Sequence, residues 1–292
     1  MLSFERGAWI LLRFLAETLK AMTTKTHAWS RLCGCAALIV LTWLTRAETA
    51  EFRELHTDRD AFTPATTTAK MGTVLTEASY VWIDNSGAPA TNSFPELLIR
   101  IATRERFEWR LGFNYEQGSS GAVVSAVEVG EPMLGAQGGS EANILYGCKV
   151  RLTDGDGLIP RSAAIVEAFT PLAGDVWGTE PAATYAFGWE LPDQWRLDVA
   201  ARYASAVSEE GRFTRWSPSA VLRIPLTERM EVHAEWFGTW SEGLANESVQ
   251  QYVGPGGHFM LSPRLELGCR MGWGLSSDAA GYYVDTGVGW TF

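Results

Sequence analysis

The sequence predicts an all-β chain: a twelve-stranded antiparallel transmembrane β-barrel of the outer-membrane type, behind an N-terminal signal peptide. Three observations carry this. Apolar and polar residues alternate with a period of two in segments of about ten residues, the signature of strands with one face in each of two environments. The chain holds 13 Trp, 13 Phe, 8 Tyr and 29 Gly but only four Lys, with a formal charge of −10. The longest apolar run, Ala36 to Leu44, includes Thr42 and falls well short of the roughly 18 residues that mark a membrane helix. Apolar residues at 46% and charged residues at 20% exclude a disordered chain. The acidic balance argues against a nucleic-acid partner, which demands basic patches.

Residues 1–47 read as an export signal. Lys25, His27 and Arg31 form a basic stretch, Leu32 to Leu44 an apolar one, and Thr45-Arg46-Ala47 a small-residue cleavage site; Met22 is an alternative start. Cleavage after Ala47 removes six bases and two acids, which takes the charge from −10 to −14. It leaves Cys148 and Cys269, both on outward faces of strands that are not neighbours, so no disulfide is expected. Residues 48–71 are polar and are expected as a periplasmic lead. Residues 72–292 form the barrel.

The last segment is the clearest strand. Tyr282, Val284, Thr286, Val288, Trp290 and Phe292 share one face, and Tyr283, Asp285, Gly287, Gly289 and Thr291 the other. Twelve such segments fall near 72–83, 94–103, 107–116, 141–152, 161–170, 182–191, 195–205, 214–225, 230–241, 249–261, 265–275 and 281–292. Tight turns such as 103–106, 192–194, 226–229 and 262–264 alternate with longer loops, namely Gln117 to Ser140, Leu172 to Pro181, Ala206 to Phe213 and Glu242 to Ser248. Trp195, Met230 and Leu265 each follow a tight turn at a spacing of 35 residues, so one hairpin unit recurs. An even strand count, short turns alternating with long loops, and strands long enough to cross a bilayer at a tilt favour a transmembrane barrel over a soluble sandwich. Closure also removes the exposed sheet edge.

Within that barrel the tryptophans sort into two levels. Trp109, Trp189, Trp195 and Trp290 lie toward the short-turn ends, and Trp82, Trp216, Trp240 and Trp273 toward the long-loop ends, as two interfacial girdles would. The other face carries charge. Glu108, Arg110, Lys149, Arg151, Arg196, Asp198, Arg202, Arg223, Glu231, His233, Glu235, Glu266, Arg270 and Asp285 are the candidate pore-lining residues. Such side chains tune selectivity in an open pore, or pair with one another and plug it. Phe292, closing an amphipathic strand with Trp290 and Thr291, is the candidate signal for the barrel-assembly machinery.

Thr57-Asp58-Arg59-Asp60-Ala61-Phe62-Thr63-Pro64, Lys70-Met71-Gly72, Pro95-Glu96-Leu97-Leu98-Ile99-Arg100 and Arg106-Phe107-Glu108-Trp109-Arg110-Leu111-Gly112 follow in that order. The order resembles the outer-membrane transporter family labelled "putative meta-pathway of phenol degradation", over about residues 55–292. The family usually has Pro directly after its Asp-Arg, where this chain has Asp60. The resemblance implies outer-membrane passage of hydrophobic or aromatic compounds and supplies no catalytic residues.

Enzyme chemistry finds little footing. His56, His233 and His258 are the histidines past the signal, and none sits in a Ser-His-Asp pattern. Asp154-Gly155-Asp156-Gly157 resembles half a calcium loop, but Ile165 stands where the late Glu belongs. No cofactor, metal or catalytic residue is expected. The expected function is a porin-like channel for small molecules, hydrophobic or aromatic ones among them, by diffusion through a charged, glycine-lined lumen. A structural or surface-interaction barrel is the alternative, and a barrel hydrolase the third. The expected partners are the bilayer, the assembly machinery and a small solute.

Overall fold

The computed structural model describes residues 55–118, 121–126, 139–175, 177–208 and 210–292. The expected signal peptide lies outside them. Twelve strands follow in order: β1 (Val74–Asp84), β2 (Thr91–Arg104), β3 (Phe107–Gly118), β4 (Gly139–Asp156), β5 (Ile159–Ala173), β6 (Glu180–Glu190), β7 (Arg196–Ser208), β8 (Gly211–Thr227), β9 (Met230–Glu242), β10 (Ser248–Ser262), β11 (Leu265–Gly274) and β12 (Tyr282–Thr291). Each pairs antiparallel with the next, and β12 closes onto β1 through a ladder from Leu75↔Thr291 to Asp84↔Tyr282.

The strands form because their two faces meet different surroundings. In β9, Glu231, His233, Glu235 and Phe237 are buried inside, while Met230, Val232, Ala234 and Trp236 alternate with them on the outer face. A slip of one residue would put those charges against lipid, so the alternation fixes the register. The turns supply the hairpins. Between β6 and β7, Asp193 and Gln194 take positive φ of 61° and 62°, and Trp195 N–H donates to Pro192 O at 3.4 Å. Two successive left-handed residues match the twist of the strands they join.

The sequence reading needs three adjustments. The expected strand 161–170 extends to Ile159–Ala173 and pairs over most of its length with the 18-residue β4. The loop expected at Ala206 to Phe213 is mostly ladder: Ala206↔Phe213, Val207↔Arg212 and Ser208↔Gly211 all pair. Its acidic residues suggested a loop, but its alternation continues into the hairpin. In β2 the ladders to both β1 and β3 slip by one residue at Phe94 and Pro95. Pro95 has no N–H to donate, and a bulge absorbs it.

The outer surface is apolar and aromatic. At the short-turn end, Trp290 stacks on Phe292 at 4.8 Å, Phe107 meets Trp109 edge-on at 4.9 Å, and Phe187 meets Trp189 at 5.6 Å. At the other end, Trp82 lies 5.2 Å from Tyr282, Tyr203 lies 4.8 Å from Trp216, and Trp216 pairs across the ladder with Trp240. Trp195, directly before β7, and Trp273, near the end of β11, are half-buried. Among the described residues, no disulfide joins Cys148 to Cys269.

Candidate functional site: a filled lumen

Residues 57–66 are buried inside the barrel. Within the segment expected as a periplasmic lead, residues 57–66 therefore enter the lumen, while Lys70 and Met71 are exposed. The cause is charge. Inward-facing strand residues supply cations and anions that would be costly to leave unpaired in a closed space. The Asp58-Arg59-Asp60 run offers the complement.

Asp58 sits at the first cluster. Lys149 Nζ donates to its two carboxylate oxygens at 3.0 and 3.1 Å, and Arg110 donates to it as well as to Glu167. Arg100 lies 3.6 Å from Asp58; it holds Glu108 in a two-pronged contact at 2.7 and 3.0 Å and donates to Glu77 at 3.1 Å. Glu77 in turn accepts the backbone N–H groups of Asp58 and Arg59 at 2.7 and 3.0 Å. Burial alone would raise the Asp58 carboxyl, but Arg100, Lys149 and Arg110 hold it well below the usual carboxylate range.

Asp60 occupies the second cluster. Arg223 grips it through both terminal nitrogens, and His258 Nδ1 lies 3.2 Å from its carboxylate. The Glu266 carboxylate accepts from Thr57 Oγ1 at 2.8 Å and faces His258 Nε2 at 3.9 Å. Arg223 also approaches Asp198 and Glu231, and Arg196 pairs with Glu231. Burial again pushes upward, and Arg223 with His258 holds Asp60 well below its ordinary value. Arg59 turns the other way, to Ser79 and Glu96.

Above these ion pairs lies an aromatic layer. Phe62 stacks on Phe237 at 4.3 Å, with Tyr252 and Tyr283 packed around Phe237. Glu235 accepts the backbone N–H groups of Phe62 and Thr63 at 2.9 and 2.7 Å. On the far side of this layer, residues 121–126 of the β3–β4 connection fold inward. Ala122, Val123 and Val124 are buried against the same cluster, and Gln250 bonds to Val123 N–H and Gly121 O. Across the outer half, Arg202 lies over Phe169 and Arg215 over Phe213, among Leu98, Leu145 and small alanines.

Of the candidate lining residues, Glu108, Arg110, Lys149, Arg196, Asp198, Arg202, Arg223, Glu231, His233, Glu235, Glu266, Arg270 and Asp285 are all buried on the inner side. Arg151 is the exception. It stands at the rim, 29% exposed and 3.4 Å from Asp154, because β4 and β5 run on past the barrel end. The sequence reading missed Glu77, Glu96, Arg100 and Glu167. Arg100 was legible as the lone charge between outward Ile99 and Ile101. Glu96 was masked by the β2 bulge, which breaks the parity. Asp58 and Asp60 carried no periodic signal at all.

Two interior cavities touching the inserted segment hold about 20 and 10 Å³, room for a water or less. A larger one of about 490 Å³ opens at the short-turn end beside His56, Lys70, Arg264 and Phe292.

A family model described as "Putative MetA-pathway of phenol degradation" matches residues 46–292. The chain belongs to this family. Among solved structures, this phenol-degradation family chain is similar to an outer membrane channel from Pseudomonas putida F1. The two share 12% identity and a TM-score of 0.56, over 85% of this chain and all of that one. At that identity the likeness speaks for the fold. The NanC porin (8% identity, TM-score 0.47, 74% of this chain and 98% of that one) and the NalP autotransporter translocator domain from Neisseria meningitidis (12%, 0.43, 75% and 87%) are more distant and carry no argument. A search of curated proteins finds no match.

Proposed function

We propose that this barrel is an outer-membrane channel that passes small molecules, hydrophobic or aromatic ones among them, by diffusion, with the inserted 57–66 segment as its resting plug. The observation that carries the reading is that the lumen is filled by a tethered segment rather than by wall side chains alone. The strands behind it supply paired charges and glycines. Gly256 and Gly272 let the His233 and Tyr283 side chains lie flat over the adjacent strand, where each faces its glycine across the ladder. A route opens when that occupant moves, and passage needs no catalytic group and no energy coupling. The chain reaches its membrane as an exported precursor and folds there with the assembly machinery, the strand ending at Phe292 serving as the signal.

The family assignment and the likeness to a channel support this reading. Ion pairing across the lumen favours a second one, a sealed barrel that works through its outer loops. Planar-bilayer recording separates them. The channel reading expects current that rises when residues 57–66 are deleted. A folded deletion variant that carries no current and passes no solute into liposomes would leave the sealed barrel.

A further inference from the structure

We infer that Arg270 is a positioning residue that links the inserted segment to the inward-folded loop, so that the two obstructions move together. This rests on the plugged-channel reading above and adds how the plug is governed. Arg270 lies on β11, buried, with its guanidinium turned three ways. Its Nε donates to Asp285 on β12 at 2.9 Å, which anchors it to the wall. Its Nη2 donates to Val124 O of the loop at 2.8 Å. Its Nη1 lies 3.5 Å from Glu235, the carboxylate that holds the Phe62 and Thr63 N–H groups of the plug. The ring of Tyr283 lies beneath the guanidinium at 5.4 Å and packs against the aromatic layer that Phe62 enters.

The geometry therefore gives one rigid planar cation three tasks: wall, loop and plug. When the loop leaves, Val124 O goes with it. Arg270 then loses a fixed partner, and Val123 and Val124 uncover the aromatic layer on which Phe62 stacks. The plug is thus held less tightly without any ligand touching it. A solute that displaces the loop from outside loosens the segment inserted from the opposite end.

The test uses the full chain with Cys148→Ser and Cys269→Ser and a reporter at Thr66→Cys, a buried plug position, labelled by a membrane-impermeant maleimide. Heat-modifiable gel migration verifies that each variant is folded. Deleting residues 121–126 should speed labelling about tenfold with Arg270 present, and add little in the Arg270→Gln background, where the link is already cut. Arg270→Lys keeps a cation beside Asp285 but cannot reach three partners, and should behave like Arg270→Gln; it stands in if that variant does not fold. An equal acceleration with and without Arg270, or none in either, overturns the inference. Coupled labelling in a chain that carries no current supports the link and sinks the channel reading alone.

Discussion

Asp58 is the residue on which most of the plug's electrostatics converge. Three cations approach one fully enclosed carboxylate. Replacing it with Asn leaves Arg100, Arg110 and Lys149 with only the wall carboxylates, and removing one member of a buried ion pair costs about 3–5 kcal/mol. Asp58→Asn should therefore expose residues 57–66 to protease while the barrel itself stays folded, as read by limited proteolysis followed by gel migration. Acid should act in the same direction. Both Asp58 and Asp60 are held below their ordinary range, so their contribution to plug retention is complete above the unfolded carboxylate value of about 4. It is lost as pH falls below that value toward their folded-state pKa. Labelling at Thr66→Cys, divided at each pH by the same maleimide's rate with a small free thiol to remove the thiolate dependence, should stay flat from neutral pH to about 5 and rise below about 4; a normalised rate that stays flat or falls in acid would contradict this.

Individual strands depend on small residues opposite large ones. A Cβ on Gly272 would stand 2.5 Å from the Tyr283 ring, and one on Gly256 would stand 2.2 Å from His233 Nε2. Gly272→Val should therefore cost about 1–3 kcal/mol by overpacking, measured as a lower urea midpoint of barrel unfolding. The β6–β7 turn offers the opposite change. Gln194 holds a left-handed conformation that costs a side-chain residue about 1–2 kcal/mol and costs Gly little, so Gln194→Gly should raise the same midpoint. The strands were the legible part of this fold because period-two alternation is local: each residue of β9 or β12 declares its face through its neighbours. Their ends were less legible where a charged stretch continued the ladder, as at Ala206 to Phe213. The inserted segment was the illegible part. Asp58 and Asp60 find their partners on β2, β3, β4, β8 and β10, and no spacing along the chain encodes a meeting of that range.

The barrel as a whole reverses the usual arrangement of a globular protein, with lipid-facing apolar residues outside and a charged interior. That interior is filled by two insertions that meet at one aromatic layer. A cut of either one should therefore be insufficient to give the largest opening. Deletion of 57–66 alone is expected to raise conductance, deletion of 121–126 alone to raise it less, and the double deletion to exceed both, in planar bilayers at matched protein insertion. If the single loop deletion matches the double one, the inserted segment is not the barrier.

The inserted segment is joined to β1 by only residues 67–73. A ligand on so short a leash is present at its own receptor at an effective concentration of about millimolar, whatever the dilution of the protein. No soluble competitor at lower concentration could keep it out for long unless it bound the wall far more tightly. Opening is thus expected as brief, self-terminating events, each ended by the chain's own N-terminal segment finding its way back, and the closed interval would then be set by how fast its ion pairs release.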